Sequence, residues 1–320
     1  MKILITGVAG FIGFSLALKL LKKNKIVYGI DNLDNYYSVK LKKKRLEVLS
    51  KYSNFFFQKI DITNIKVLKK YLSRSKFEYL YHFAAQPGVR YSLVNPKKYY
   101  NVNEKGFYNI LKNIKHRSIK KIIYASSSSV YGDQNKFPIK ENSILKAKNP
   151  YGITKINNEN TAKVYSNLFK KPFICLRFFT VYGEWGRPDM FIIKLLDCIS
   201  KNKNFYLNKS GNHYRDFTNI KDVANICHKL LNYKCKKSHT IFNVCAGKKV
   251  NIKYLADKIN NRFKNAKIVN VKANKADVNI TLGDNKKITK ALKYKKFTNI
   301  NNGLNLLIKW YLNENIKKII

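Results

Sequence analysis

Tyr151 and Lys155 stand four residues apart, a spacing that puts both on one face of a helix. A phenol with a pKa near ~10 is a poor base at neutral pH, and a neighbouring ammonium stabilises the phenolate and lowers that pKa. The pair is therefore a candidate proton acceptor for a hydroxyl. A serine run upstream, Ser126 to Ser129, offers a hydroxyl that could complete a proton relay. Alone the pair is weak evidence, because Tyr-x-x-x-Lys recurs by chance in a chain with 22 tyrosines and 64 lysines and arginines. Its weight comes from what precedes it.

An apolar run from Lys2 to Thr6 leads into Gly7-Val8-Ala9-Gly10-Phe11-Ile12-Gly13. Apolar residues then recur at helical spacing (Phe11, Phe14, Leu18, Leu21), and a short strand, Ile26 to Ile30, closes on Asp31. Strand, glycine turn, helix, strand, acid is the order of a dinucleotide-binding βαβ unit. The glycines allow a tight turn and bring bare backbone N–H groups up to a pyrophosphate at the helix N-terminus. Asp31 can take both hydroxyls of an adenosine ribose and would repel a 2′-phosphate, which favours NAD over NADP. Lys155 then gains a second possible task, holding the nicotinamide ribose. The spacing is GxxGxxG rather than GxGxxG, and a tight turn with no ligand is the other reading. A secretory signal is a third, but the helical period runs on into Lys19, Lys22 and Lys23 with no small-residue cleavage site.

The elements that must position these residues alternate. Val39 to Ser50 reads as a helix, Asn54 to Ile60 as a strand ending in Asp61, and Lys66 to Leu72 as a short helix. Tyr79 to Phe83 is a strand carrying His82, Pro96 starts a long helix through Asn103 to about Ile114, and Ile122 to Ala125 is a strand that ends in the serines. A helix from Tyr151 to Phe169 and a strand from Phe173 to Phe178 follow. Such alternation predicts an α/β fold, a Rossmann-type doubly wound parallel sheet, with ligands beyond the carboxyl ends of its strands. Asp31, Asp61, His82 and the serines all fall there. From Thr180 the pattern loosens through Gly183, Gly186 and Pro188 into a helix, Met190 to Ser200, while Phe217 to Leu231 and Thr240 to Val244 read as returning sheet elements. The expected domains are 1–179 with returning elements at about 217–247, and a smaller C-terminal substrate-binding region from 180–216 and 248–320, sharing one cleft.

At 320 residues the chain can bury a large core, and no apolar run approaches the ~20 residues needed to cross a bilayer. Five scattered cysteines without a CxxC pair argue against a metal site or a disulfide framework and suit a reducing cytoplasm. The net charge of +46 taken alone points to a polyanion partner. Its lysines are spread along the whole chain, however, and Asn, Ile, Tyr and Phe are abundant too. Compositional drift therefore explains most of the charge, and neither nucleic acid nor a membrane is the expected partner. A nucleic-acid-binding protein on the same fold is the rival from another class. The charge should still attract anionic small substrates.

Assembled, TGVAGFIG (Thr6 to Gly13), HFAA (His82 to Ala85), SSSSVYG (Ser126 to Gly132), YGITK (Tyr151 to Lys155), RFFTVYG (Arg177 to Gly183) and RDFTNIKDVA (Arg215 to Ala224) resemble the extended short-chain dehydrogenase/reductase family, specifically its nucleotide-sugar epimerases. Within it, DNLDNYY (Asp31 to Tyr37), AAQPGVRYS (Ala84 to Ser92) and GEWGRPDMF (Gly183 to Phe191) look most like UDP-glucuronate 4-epimerases. The resemblance implies NAD as a resident cofactor, held by Gly7, Gly10, Phe11, Ile12, Gly13, Asp31, Asn32, Asp61, Ile62, Ala84 and Asn103 together with Tyr151 and Lys155. It implies C4 epimerisation of a UDP-sugar through a 4-keto intermediate. Tyr151 would be the base, Ser127 the hydroxyl that shares the same oxygen, and Lys155 the residue that tunes the phenol. Arg187 would favour a carboxylate-bearing sugar by ordering the loop over it, with Ser128, Ser129 and Thr180 donating to the carboxylate. Arg215 would take the UDP pyrophosphate, Asp277 the uridine ribose, and Arg90 would lie near either ligand. Relatives that dehydrate or decarboxylate usually carry an acid at the position of Ser129, so simple epimerisation is the expected outcome. UDP-glucose or UDP-N-acetylglucosamine is the alternative substrate. A homodimer joined through Pro96–Ile114 and Tyr151–Phe169 is expected from the same resemblance.

Overall fold

The computed structural model describes residues 1–74, 76–114, 119–263, 267–272 and 278–320. The predicted site residue Asp277 lies outside them.

The strands are β1 (Lys2–Thr6), β2 (Ile26–Asp31), β3 (Phe55–Lys59), β4 (Tyr79–His82), β5 (Lys121–Ser127), β6 (Phe173–Phe178), β7 (Thr180–Tyr182), β8 (Asn204–Asn208), β9 (Tyr214–Asn219), β10 (His239–Val244), β11 (Lys249–Asn251) and β12 (Lys267–Val271). Seven of them form one sheet in the order β10-β6-β5-β4-β1-β2-β3, with every pairing parallel. Strands buried on both faces read as continuous apolar runs, and β6 is buried along its whole length. Alternation then divides the core. Ile3 and Ile5 join one apolar cluster and Leu4 the other, so helices can cover both faces. The chain reverses direction across the sheet between β1 and β4, the switch point at which open α/β sheets leave a crevice.

A third cluster is built from Tyr182, Leu195, Leu196, Phe205, Leu207, Phe217, Leu255 and Leu307, all drawn from the later part of the chain. It supports two small sheets, β11-β9-β7 and β12-β8. The predicted return of Phe217 to Leu231 needs correcting here. Phe217–Asn219 pairs in the small sheet with β7, and only the helix Ile220–Leu230 and β10 come back to the large one. The reason lies in side-chain burial: Phe217 packs into the third cluster, whereas Val223, Ile226 and Leu230 pack into the first. A second difference concerns the long helix after Pro96. It runs as an α-helix over Pro96–Tyr99, widens to a π-helix over Tyr100–Lys105, and resumes as an α-helix over Gly106–Ile114. Asn103 sits in the widened stretch, where π-turns frequently mark functional sites. Among the described residues no helix is long and apolar enough to cross a membrane, and no three His, Cys, Asp or Glu residues cluster as metal ligands.

Candidate active site

The turn after β1 is held from three sides. Gly7 adopts φ +72°, and its N–H donates to Ile30 O at 2.8 Å. A Cβ on Gly13 would lie 2.1 Å from Gly7 O, so only glycine lets the helix Phe11–Leu21 begin directly against the turn. Asp31 at the end of β2 accepts from Ala9 N at 3.1 Å and Leu33 N at 2.8 Å. Burial pushes its carboxyl pKa up against those two donors. Gly7, Gly10, Gly13 and Asp31 line a cleft of about 250 Å³ together with Phe11, Ile12, Asn32, Ile62, Ala84, Ser127, Tyr151, Lys155 and Arg187. An elongated anionic nucleotide fits this donor set: backbone N–H groups at a helix start and a carboxylate at the end of the neighbouring strand.

Two predicted cofactor residues do not reach the wall of the cleft. Asp61 accepts from Asn32 Nδ2 at 2.9 Å and from Thr63 N and Oγ1, each at 2.7 Å. Burial works to raise its pKa, but those hydrogen bonds outweigh it and hold the carboxyl low. Asp61 thus orders the turn and orients Asn32, which does line the cleft. Asn103 spends its amide on Gln86 N, Gln86 O and Thr154 Oγ1, at 2.7, 3.3 and 3.0 Å. It ties the loop after β4 to the helix of Tyr151, which is the buried-amide role.

That helix, Pro150–Phe169, starts where the sequence supplies a cap. Asn149 Oδ1 accepts from Gly152 N at 2.9 Å, and Pro150 takes the first helical position. Lys155 Nζ donates to Ala125 O at 3.1 Å and lies 5.8 Å from the centre of the Tyr151 ring. The Ser127 side chain lies close enough to the Tyr151 phenol to lower its pKa. Catalytic candidates from two elements, β5 and this helix, therefore meet at one corner of the cleft. A buried pair fixes the join: Glu159, two turns along the helix, accepts from Ser126 Oγ at 2.5 Å and takes a two-pronged bond from Arg177 on β6.

The electrostatics differ from the sequence argument in one respect. Burial raises the Tyr151 pKa, and what opposes it is the neighbouring Ser127 hydroxyl and the charge of Arg187, not Lys155. Lys155 itself is pushed down to about 8 by burial. Its ammonium is turned to the Ala125 carbonyl rather than to the phenol, so desolvation wins. His82 is driven down to about 3 by burial and by Lys155, and its Nδ1 shares a hydrogen with Thr6 Oγ1 at 2.9 Å. A neutral imidazole beside the turn is the result.

A second cavity of about 440 Å³ adjoins the cleft and carries the predicted Arg90, Thr180, Arg187 and Arg215 on its wall. Phe11, Tyr36, Val181, Arg187 and Met190 line both spaces. Ser128 and Ser129 line neither. After Ser127 the chain turns as a 3-10 helix, Ser128–Val130, capped by Ser127 Oγ, and Ser129 Oγ accepts from that same hydroxyl at 3.1 Å. Arg187 makes a two-pronged pair with Asp189, and Tyr36 Oη donates to Asp189 Oδ2 at 3.2 Å. Burial works against the Arg187 charge, but the Asp189 carboxylate outweighs it and holds the guanidinium pKa above its ordinary value.

Lys42, Tyr36, Tyr37 and Met190 line the cleft without having been singled out by sequence as site residues. Lys42 Nζ donates to Asp34 O and sits 4.4 Å from the centre of the Tyr37 ring. One signal was available. Lys42, Arg45 and Leu49 follow at i, i+3 and i+7, the inward face of the helix Val39–Ser50, and all three are buried.

Residues 3–245 match the model of the NAD dependent epimerase/dehydratase family. The chain belongs to this family. NAD is the cofactor its members are named for, and the cleft between the glycine turn and Lys155 is where this chain's residues fit it. A UDP-glucuronate 4-epimerase of Thermodesulfobacterium geofontis is 36% identical over 99% of this chain and 97% of its own length. Protein CapI of Staphylococcus aureus is 36% identical over 98% of each chain. Among solved structures, the UDP-glucuronic acid 4-epimerase of Bacillus cereus, in complex with UDP-glucuronic acid and NAD, superposes with a TM-score of 0.90 at 31% identity over 100% of both chains.

Proposed function

We propose that the protein is an NAD-dependent UDP-sugar 4-epimerase whose substrate is UDP-glucuronate, converted to UDP-galacturonate. The observation that carries this reading is the meeting of Ser127, Tyr151 and Lys155 on a cofactor cleft that opens into a second cavity with Arg187 at the junction. The relatives named above support the substrate choice.

When bound, NAD supplies reversible hydride acceptance at the sugar C4. The chain's residues supply the rest. Tyr151, as a phenolate favoured by Ser127 and the Arg187 charge, takes the proton of the 4-hydroxyl and returns it after the 4-keto sugar has turned its other face, with the Ser127 hydroxyl bonded to the same sugar oxygen. Lys155, with its pKa near 8 and its ammonium on the Ala125 carbonyl, keeps a proton at neutral pH and would hold the nicotinamide ribose. Arg215 and Arg90 give the second cavity a cationic wall for a diphosphate, a task suited to planar forks. The carboxylate of the uronate falls to Arg187 and Thr180. Fixing that carboxylate out of line with the C4 carbonyl would slow loss of CO2, to which a β-keto acid is prone.

UDP-glucuronate, UDP-glucose and UDP-N-acetylglucosamine assayed side by side test the reading. Turnover of a neutral sugar with none of the uronate would overturn it. One observation favours that second reading: the Arg187 charge is already matched by Asp189. The homodimer belongs to the proposal as well. Tyr100 and Tyr108, with Ile153, Val164 and Leu168 on one face of the neighbouring helix, are large apolar side chains left exposed. A monomer by sedimentation would remove that part.

A further inference from the structure

Arg45 is a fully buried cation with no acid among its hydrogen-bond partners. Its Nη1 donates to Ala9 O and to Tyr37 Oη, both at 2.8 Å. Its Nη2 donates to Trp185 O at 2.5 Å and Gly186 O at 3.2 Å. Nε has no partner among the described residues. A buried guanidinium is costly, and here it joins three segments at a single point. Ala9 belongs to the glycine turn, Tyr37 to the loop after β2, and residues 185–186 to the crossing segment that leads to Arg187. The crossing segment needs such a hold, because Trp185 adopts φ 62°, a conformation large side chains rarely take. Its ring is wedged between Phe14 and Trp310, with centroids 5.2 and 5.6 Å away. Two residues on, the Arg187–Asp189 pair receives Tyr36 from the loop after β2, closing the same two segments together over the boundary between the cavities.

We infer that Arg45 is a positioning residue that staples residues 183–190 and the loop after β2 to the glycine turn, so that cofactor retention and the placement of Arg187 depend on one buried fork. The Arg187 half rests on the proposed uronate substrate, while the cofactor half rests on the cleft alone. Lysine keeps the charge of Arg45 but cannot span four oxygens in a plane.

The test uses the full chain loaded with NADH, following release by fluorescence, and separately the KM and kcat for UDP-glucuronate. Arg45→Lys should release NADH about tenfold faster and raise KM by more than it lowers kcat, since a misplaced loop weakens binding before chemistry. Tyr37→Phe, which removes a single partner of the fork, should shift both in the same direction by about threefold. It also carries the test if Arg45→Lys does not fold. Leu49→Ala, on the same buried helix face, serves as the control: its Tm should fall while NADH release stays at the parent rate. Folded Arg45→Lys and Tyr37→Phe proteins within twofold of the parent in both readouts would overturn the staple. So would a Leu49→Ala protein that loses NADH as fast as Arg45→Lys. A parent that turns over only neutral sugars would sink the uronate reading and leave the NADH arm intact.

Discussion

The sheet wall of the cleft and the far wall, which borders the adjoining cavity, are made differently. The sheet wall comes from contiguous segments: a seven-residue turn, one acid at the next strand end, and a Tyr–Lys pair within one helical turn. The far wall is assembled from residues near 36, 90, 187, 206 and 215, held by Arg45, Trp185 and a pair between Arg187 and Asp189. Backbone N–H groups and φ angles dominate the first; side-chain forks and aromatic wedges dominate the second. A site of this kind can keep its cofactor chemistry constant while the second wall changes its substrate.

Tyr151→Phe gives the largest expected effect, because it removes the proton acceptor and leaves both walls standing. Epimerisation should fall by about 10³-fold or more, with bound NADH unchanged. Chromatography of the UDP-sugars after long incubation reads the first and fluorescence the second. If NADH were lost too, the phenol would belong to the cofactor's grip and the contrast between the walls would blur. Gly13→Ala attacks the sheet wall itself. Its Cβ would meet Gly7 O at 2.1 Å, so the turn must move, at a cost of about 1–3 kcal/mol and with cofactor affinity falling alongside. Calorimetry with and without NAD checks both; an alanine variant that binds NAD like the parent would show that the turn is softer than the packing indicates.

The same contrast decides what the sequence could reveal. The sheet wall was legible because period, glycine spacing and strand-end position are local properties. Even Phe173–Phe178 and Val39–Ser50 begin and end where the pattern predicts. The π-widening at Tyr100–Lys105 was not legible, since nothing in YNVNEK departs from an ordinary helix. Nor was the fate of Asp61 and Asn103. Both sit where a ligand contact is expected, and their bonds go to Asn32, Thr63, Gln86 and Thr154, partners that only the fold brings near. Ser128 and Ser129 miss the wall for a similar reason: the strand gives way to a capped turn at Ser127. On the far wall Arg187 carried a signal through its motif. Its counter-charge Asp189 stands in the same motif, but nothing there pairs the two, and its anchor Arg45 carried only the spacing of a buried helix face.

Arg187→Gln tests that far wall. Losing a charged fork to a carboxylate should raise the KM for UDP-glucuronate by about 10- to 100-fold, an effect of ~1.5–3 kcal/mol, with little change for UDP-glucose. Equal effects on both sugars would mean that Arg187 only braces Asp189 and Tyr36, and that the walls do not divide cofactor from substrate.

The smallest effect expected near neutral pH sits inside the sheet wall, at His82. Its folded pKa of about 3 lies below the ordinary value of 6.5, the causes being burial and the Lys155 charge. The unfolded chain therefore binds more protons than the folded one between those values. The stabilising contribution is whole above 6.5 and is lost as pH falls toward 3, at up to ~1.4 kcal/mol per pH unit. His82→Gln removes the titration while an amide can still meet Thr6 Oγ1, now 2.9 Å from the ring nitrogen. The variant should be less stable at neutral pH, because the ring stacks on Phe107 at 5.0 Å. Its Tm should nonetheless fall less steeply than the parent's between pH 6.5 and 5. Parallel Tm curves would place the acid-sensitive group elsewhere and remove His82 as the weak point of the sheet wall. A flattened curve would show that the wall built from local sequence is also the one that acid opens first.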